Sequence, residues 1–328
     1  MRTLGGSGRL RELAAPNAVV RRLLDNPFRE PAPQQGDLRG QARYGLKDHE
    51  EDGLEDQRAA GDLTLRLDEL AAGLTDPDCD LDDLAEIEEE LVAARRRELI
   101  PYVEGHLAAA VEAGNWYARH VLARILAETA GRTSLAALLR AYSRNLGDDQ
   151  DSLSTTLHVL AREDPATARE ILLPCAVGND EDLRRAAIWL LGFVPESSDL
   201  NLLAHAAQDS DEGIRSAVVG TLGSHGTEPD AIDLLLNLLD DPSPQVRISA
   251  LSSLGFLQQP RTLRKIYLLA NDDNPRVRAW VAIALGRFPA LEPADLATSA
   301  VLDQLAADAD PYVRDQAAEA RQLKPLHS

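Results

Sequence analysis

Seven histidines, two cysteines and 54 acidic residues are the side chains of this chain that could hold a metal or move a proton. Their spacing decides whether they do. A single His–Glu dipeptide occurs, His49–Glu50, in a stretch poor in apolar residues. The other histidines, His106, His120, His158, His205, His225 and His327, are isolated, with no second ligand at metal-motif spacing. They read as surface or helix-flank residues. Cys79 and Cys175 lie far apart and match no metal motif, so free thiols in a reducing compartment are the expectation. No acid–base pair or nucleophile constellation declares itself. No catalytic residue, metal or cofactor is therefore expected.

Arginine and aspartate, by contrast, recur with a strict period. Arg184, Arg215, Arg247, Arg278 and Arg314 are separated by 31, 32, 31 and 36 residues, the signature of a solenoid repeat. Six residues before the last four stand Asp209, Asp241, Asp272 and Asp308. Such pairing predicts a ladder of charge-assisted bonds tying one repeat to the next. A residue needed in every repeat serves the stack, so the ladder is read as structural.

The positioning elements can be read around each arginine. Four residues before it stand Asp180, Asp211, Ser243, Asn274 and Asp310, side chains that accept hydrogen bonds from the free amides of a helix start. Glutamate or proline follows, at Glu181, Glu212, Pro244, Pro275 and Pro311, as the first helical turn favours. Apolar residues then recur every fourth position, as in Val246, Ala250 and Leu254, giving one apolar stripe per helix. Gly192, Gly223, Gly255 and Gly286 follow the last stripe leucine and are expected to end each helix in the left-handed conformation. A second amphipathic run completes each hairpin: 200–207, 231–239, 263–270 and 296–305. Hairpins of this kind bury a core only by stacking, so the expected fold is all-α, a right-handed α-solenoid.

The lines DDPSPQVRISALSSLG (240–255), NDDNPRVRAWVAIALG (271–286) and DADPYVRDQAAEAR (308–321) resemble HEAT repeats, in the short variety first noted in phycobilisome lyases. The resemblance is clear over 179–321. It implies the armadillo-like stack of helices already read from the period. Its members include scaffolds, adaptors, bilin lyases, metal-dependent hydroxylases and DNA glycosylases, so function does not follow from fold. The hydroxylases use several His–Glu dipeptides, against one here. The glycosylases use a basic concave face, and here the opposite sign prevails. In the family the second helices line that face, which makes Arg261, Arg264, Lys265, Asp230 and Asp233 the candidate partner-binding residues.

Charge and composition bound the rest. Thirty-four basic against 54 acidic residues give a formal net charge of −20. That charge repels phosphate backbones and anionic membranes, so neither nucleic acid nor membrane is an expected partner. No apolar stretch reaches the roughly 18 residues of a membrane span, and residues 1–10 lack the apolar core of a secretion signal; a cytoplasmic location is expected. Residues 1–61 read as a largely disordered tail with a short helix at 17–25. Residues 62–114 read as helices capping the stack and 115–328 as the solenoid, with degenerate copies at 116–142 and 151–173. The acidic run 76–90 reads as a solvated helix start with cations placed toward its other end. Trp116, Trp189 and Trp280 read as packing or edge residues. The expected function is a protein-interaction scaffold binding another protein, with a lyase- or isomerase-type enzyme as the alternative.

Overall fold

The computed structural model describes residues 48–76, 78–148, 150–289 and 294–323. The short helix expected at 17–25 and His327 lie outside the described residues, as do the side chains of His49 and Glu50. Among the described residues the regular structure is helical throughout, without a strand.

Residues 48–174 and 175–323 form two compact units, each taken by itself. The division differs from the expected boundary at 114/115. The upstream unit holds α1 (Asp48–Gly73), α2 (Leu81–Ala94), α3 (Ile100–Glu112), α4 (Trp116–Ala130), α5 (Leu135–Ser143), α6 (Asp151–Glu163) and most of α7 (Pro165–Ala176). Helix α1 corrects the expected tail, since residues 48–61 are helical. Glu, Gln, Arg and Ala favour the helix in this stretch, and it runs on into the buried turns around Leu67 and Leu70. Arg95, in the left-handed region at φ 47°, ends α2. Pro101 opens α3, where proline loses no needed bond.

The downstream unit is a stack of hairpins. Its first helices are α8 (Glu181–Leu191), α10 (Glu212–Ser224), α12 (Pro244–Leu257), α14 (Pro275–Arg287) and α16 (Pro311–Gln322). Between them run the second helices α9 (Leu200–Ala206), α11 (Pro229–Leu238), α13 (Leu263–Leu268) and α15 (Ala294–Ala306). Each first helix packs on the first helix of the next hairpin. Every expected cap accepts an amide: Asp180 from Leu183, Asp211 from Ile214, Ser243 from Gln245, Asn274 from Arg276, and Asp310 from Tyr312 and Val313. Ile214, Val218, Leu222, Val246, Ala250, Leu254, Val277, Val281 and Leu285 are fully buried. The stripe read from the sequence is the shared core.

The column glycines do something other than expected. Gly192 is right-handed, at φ −61°, and positive φ among the described glycines falls at Gly114, Gly131, Gly147 and Gly226. The left-handed stop comes three residues beyond the column, at Gly226 (φ 63°) and Gln258 (φ 51°). Gly192, Gly255 and Gly286 instead let backbones meet, while Gly223 faces the Ser253 side chain at ordinary contact distance. A Cβ on Gly255 would lie 3.0 Å from Ala284 Cα, and one on Gly286 would lie 3.0 Å from Ala320 Cβ and 3.2 Å from its Cα.

Candidate functional site

Each hairpin presents two edges that could carry chemistry: the loop where one repeat meets the next, and the outer side of its second helix. The loop holds the ladder. Arg215 Nε and Nη2 donate to the two carboxylate oxygens of Asp241 at 2.8 and 2.9 Å, while its Nη1 donates to the Asp209 carbonyl at 2.9 Å. Arg247 repeats this on Asp272 at 2.9 and 2.8 Å and on the Asp241 carbonyl at 2.8 Å. Arg278 does so on Asp308 at 2.7 and 2.9 Å and on the Asp272 carbonyl at 2.8 Å. Arg184 reaches Asp209 at 3.2 Å. Arg314 keeps the bond to its own repeat, to the Asp308 carbonyl at 2.8 Å.

One aspartate thus serves two repeats. Its carboxylate takes the arginine of the preceding hairpin, its carbonyl takes the arginine of its own, and a carboxylate oxygen also accepts the amide two residues on, as at Ser243, Asn274 and Asp310. With both carboxylate oxygens bonded and three donors on each of Asp241, Asp272 and Asp308, a buried ion pair is tolerated. The hydrogen bonds that Arg215 donates to Asp241 hold its guanidinium pKa above the ordinary value, and those that Arg278 donates to Asp308 hold that carboxyl below its ordinary value. These groups are consumed by the fold and offer nothing to a substrate.

Sequence reasoning missed a further rung upstream. Arg119 is almost fully buried; it donates to both oxygens of Asp148 and to the carbonyls of Ala141 and Arg144. The signal was present: Asn115 caps α4 by accepting from Ala118, and Arg119 stands four residues after it, the same step as Asn274 to Arg278.

The second-helix edge is where the candidate partner-binding residues lie, and the structure brings several together. Arg261 meets Asp233 at 3.0 Å and donates to the Pro229 carbonyl at 2.8 Å. Lys265 Nζ meets Asp240 Oδ2 at 2.7 Å. The basic cluster seen in the sequence is therefore largely matched by acids of the preceding repeat. Asp230, Asp233, Asn237, Arg261, Arg264 and Leu268 are exposed along this ridge, Leu268 at 68%. Among the described residues Arg264 makes no hydrogen bond or ion pair. Where the ends of α9 and α11 meet, a cleft of about 300 Å³ opens, lined by Gln208, Asp209, Arg215, Asn237, Asp240 and Asp241 with apolar walls at Leu234 and Leu238.

Elsewhere the acidic run 76–90 is partly used between helices: Glu88 and Glu89 pair with Arg124 at 2.7 Å and Glu90 with Arg66 at 3.0 Å. Trp116 is half exposed and set edge-on to Tyr117; Trp189 is set edge-on to Phe193. His106 pairs with Asp68 at 2.9 Å, and His225 is buried. Cys79 and Cys175 are not joined in a disulfide among the described residues. Among the described residues no three His, Cys, Asp or Glu gather to hold a metal, and no helix is long and apolar enough to cross a membrane.

With the capped first helix, the close glycine crossing and the arginine–aspartate rung in place, the pattern that defines HEAT repeats matches residues 169–243 and 232–321. Residues 169–321 are HEAT repeats. A HEAT repeat-containing taxis protein of Halobacterium salinarum is 30% identical over 132 residues, covering 33% of this chain and 32% of that protein. The chain thus spans about a third of that relative's length. Phycocyanin operon protein Z of Pseudanabaena tenuis is 26% identical over 148 residues, covering 43% of this chain and 72% of that protein. Among solved structures, the Escherichia coli protein YibA aligns over 87% of this chain and 98% of its own, at 16% identity and a TM-score of 0.47.

Proposed function

We propose that this chain is a cytoplasmic protein-interaction scaffold whose HEAT repeats hold a partner protein along the second-helix ridge. The observation that carries this reading is the division of labour between the two edges of the stack. The ladder groups are saturated by hydrogen bonds within and between repeats, whereas the ridge shows Asp230, Arg264 and Leu268 to solvent on a rigid support. Mixed charge around an exposed aliphatic residue is the make-up of a protein-binding surface. A stacked array supports such a surface without moving, because each repeat is fixed by its neighbours.

The test uses the full chain as bait in its own cell extract. Leu268→Asp is expected to abolish capture of the specific partner with unchanged melting, and Arg276→Glu, on the exposed start of a first helix, is expected to leave capture intact. Equal capture by both variants would overturn the ridge. A bilin or other small molecule that co-purifies with the chain, turned over and indifferent to Leu268→Asp, would replace the scaffold with a lyase.

A further inference from the structure

The second-helix ends of residues 175–323 meet at successive junctions in the same columns. One residue before each ladder aspartate stand Gln208, Asp240 and Asn271, and seven residues before it stand Leu234 and Lys265. Between α11 and α13 the gap is filled from within: Lys265 Nζ lies 2.7 Å from Asp240 Oδ2. Between α13 and α15 it is also bridged, by Gln304 Nε2 donating to Asn271 Oδ1 at 2.9 Å. Between α9 and α11 the residue in the lysine column is Leu234, which has no donor to offer Gln208. That junction is the open cleft of about 300 Å³.

The chemistry of the cleft matches what fills its neighbour. Leu234 and Leu238 supply an apolar wall suited to a stem of methylenes. At the mouth, Gln208 and Asn237 are exposed, and among the described residues their side-chain amides have no partner. Asp240 is 70% exposed at its side chain and keeps one carboxylate oxygen beyond its bond to Lys265. Of the carboxylates that line the space, Asp209 and Asp241 are held by Arg184 and Arg215, so the second oxygen of Asp240 is the anionic acceptor there, in a chain of net charge −20 that draws cations toward it.

The geometry points to this cleft as the seat of one lysine or arginine side chain presented by a basic partner protein, whose stem lies on Leu234 and Leu238 and whose N–H groups donate to Gln208 Oε1, Asn237 Oδ1 and the Asp240 carboxylate. The inserted residue takes the place that Lys265 takes one repeat further on. This deepens the scaffold reading and rests on it: the ridge supplies the area of contact, and the cleft selects the sign of the partner.

The fold itself supplies the decisive variant. Gln208→Asp combined with Leu234→Lys recreates the Asp240–Lys265 arrangement inside the cleft and leaves the net charge unchanged, so general attraction to an acidic chain is held constant. The probes are the blocked tripeptides Gly-Lys-Gly and Gly-Arg-Gly, with Gly-norleucine-Gly as the uncharged control. They are titrated into the full-length chain at physiological salt while the Leu238 methyl resonances are followed. Saturable shifts are expected with lysine and arginine and not with norleucine, and the closed variant should lose at least tenfold in affinity at an unchanged melting temperature. Unmoved Leu238 resonances in the unaltered chain, or equal titration of the closed variant, would overturn the assignment. Should the double variant melt early, Asn237→Met replaces it: a several-fold weaker titration supports the cleft and an unchanged one refutes it. Capture of a partner through the ridge by a chain that binds none of the peptides would refute the cleft alone and leave the scaffold reading standing.

Discussion

The two units hold their helices together by different means. In residues 175–323 every junction between first helices joins an arginine to an aspartate whose carbonyl binds the next arginine, as a two-oxygen fork at Asp241, Asp272 and Asp308 and through one oxygen at Asp209. Among the described residues of 48–174 the fork alone occurs once, from Arg119 to Asp148, with no arginine on the Asp148 carbonyl because Ser154 stands in that position, and other junctions carry exposed pairs such as Arg66–Glu90 and Arg124–Glu89. Exposed pairs contribute little, about 0–1 kcal/mol each, so the upstream unit depends on its Leu, Ile and Val core. Periodicity that is visible in sequence is thus a sign of how load is shared: a stack tied by repeated polar bonds must repeat the residues that make them.

The comparison can be broken most severely at the downstream core. Leu254→Asp, at a fully buried position, should cost more than about 4 kcal/mol, because it leaves an unpaired charge in the stripe; a denaturant titration that moves by less than about 1 kcal/mol would place the core elsewhere. Next comes the ladder. Asp241→Ala strands the Arg215 guanidinium, only 11% exposed at its side chain, and is expected to cost about 3 kcal/mol, whereas Glu90→Ala upstream should stay within about 0.5 kcal/mol. Equal losses would erase the distinction drawn between the two units. Gly255→Val follows, at about 1–3 kcal/mol, since the new Cβ alone would press on Ala284 Cα at 3.0 Å. A neutral result by thermal melting would return the glycine to a purely conformational role.

The smallest effects concern pH and have opposite signs in the two units. Downstream, Asp308 has its carboxyl lowered by the Arg278 hydrogen bond. Its stabilisation is complete above the unfolded value of about 3.9 and disappears as pH falls through the lower folded value. Upstream, Glu104 has its carboxyl raised by burial, against the pull of Arg140. Its charged form opposes folding once pH rises through the folded value, so Glu104→Gln should melt slightly higher at pH 7 while Asp308→Asn should melt lower. The same direction for both would show that one of these environments is misread.

How much of this was legible in the sequence follows from what each feature requires of side chains. Caps, stripes and rungs need particular side chains at fixed steps, and Asn274, Val277 and Arg278 could be read without coordinates. The glycine column was seen, and its role was misjudged. Glycine serves both a left-handed turn and a close crossing, and only the approach of Ala284 to Gly255 separates the two. Arg119 was missed because its column lapses at the next copy, where Ser154 stands in the arginine position and Gly178 in that of the aspartate. Helix α1 was missed over 48–61, since a polar stretch carried into a helix by the packed turns after it has no stripe of its own. The cleft at Leu234 could not be seen at all, because an opening is a difference between neighbouring junctions.

The central claim is that the arginine–aspartate rungs bind the HEAT repeats to one another and so free the ridge for a partner. A double-mutant cycle on Arg247 and Asp272, joined at 2.8 and 2.9 Å, tests it most directly. Denaturant unfolding of the full chain, Arg247→Met, Asp272→Ala and the pair together should give a coupling energy of about 1–3 kcal/mol; strictly additive losses would contradict the claim.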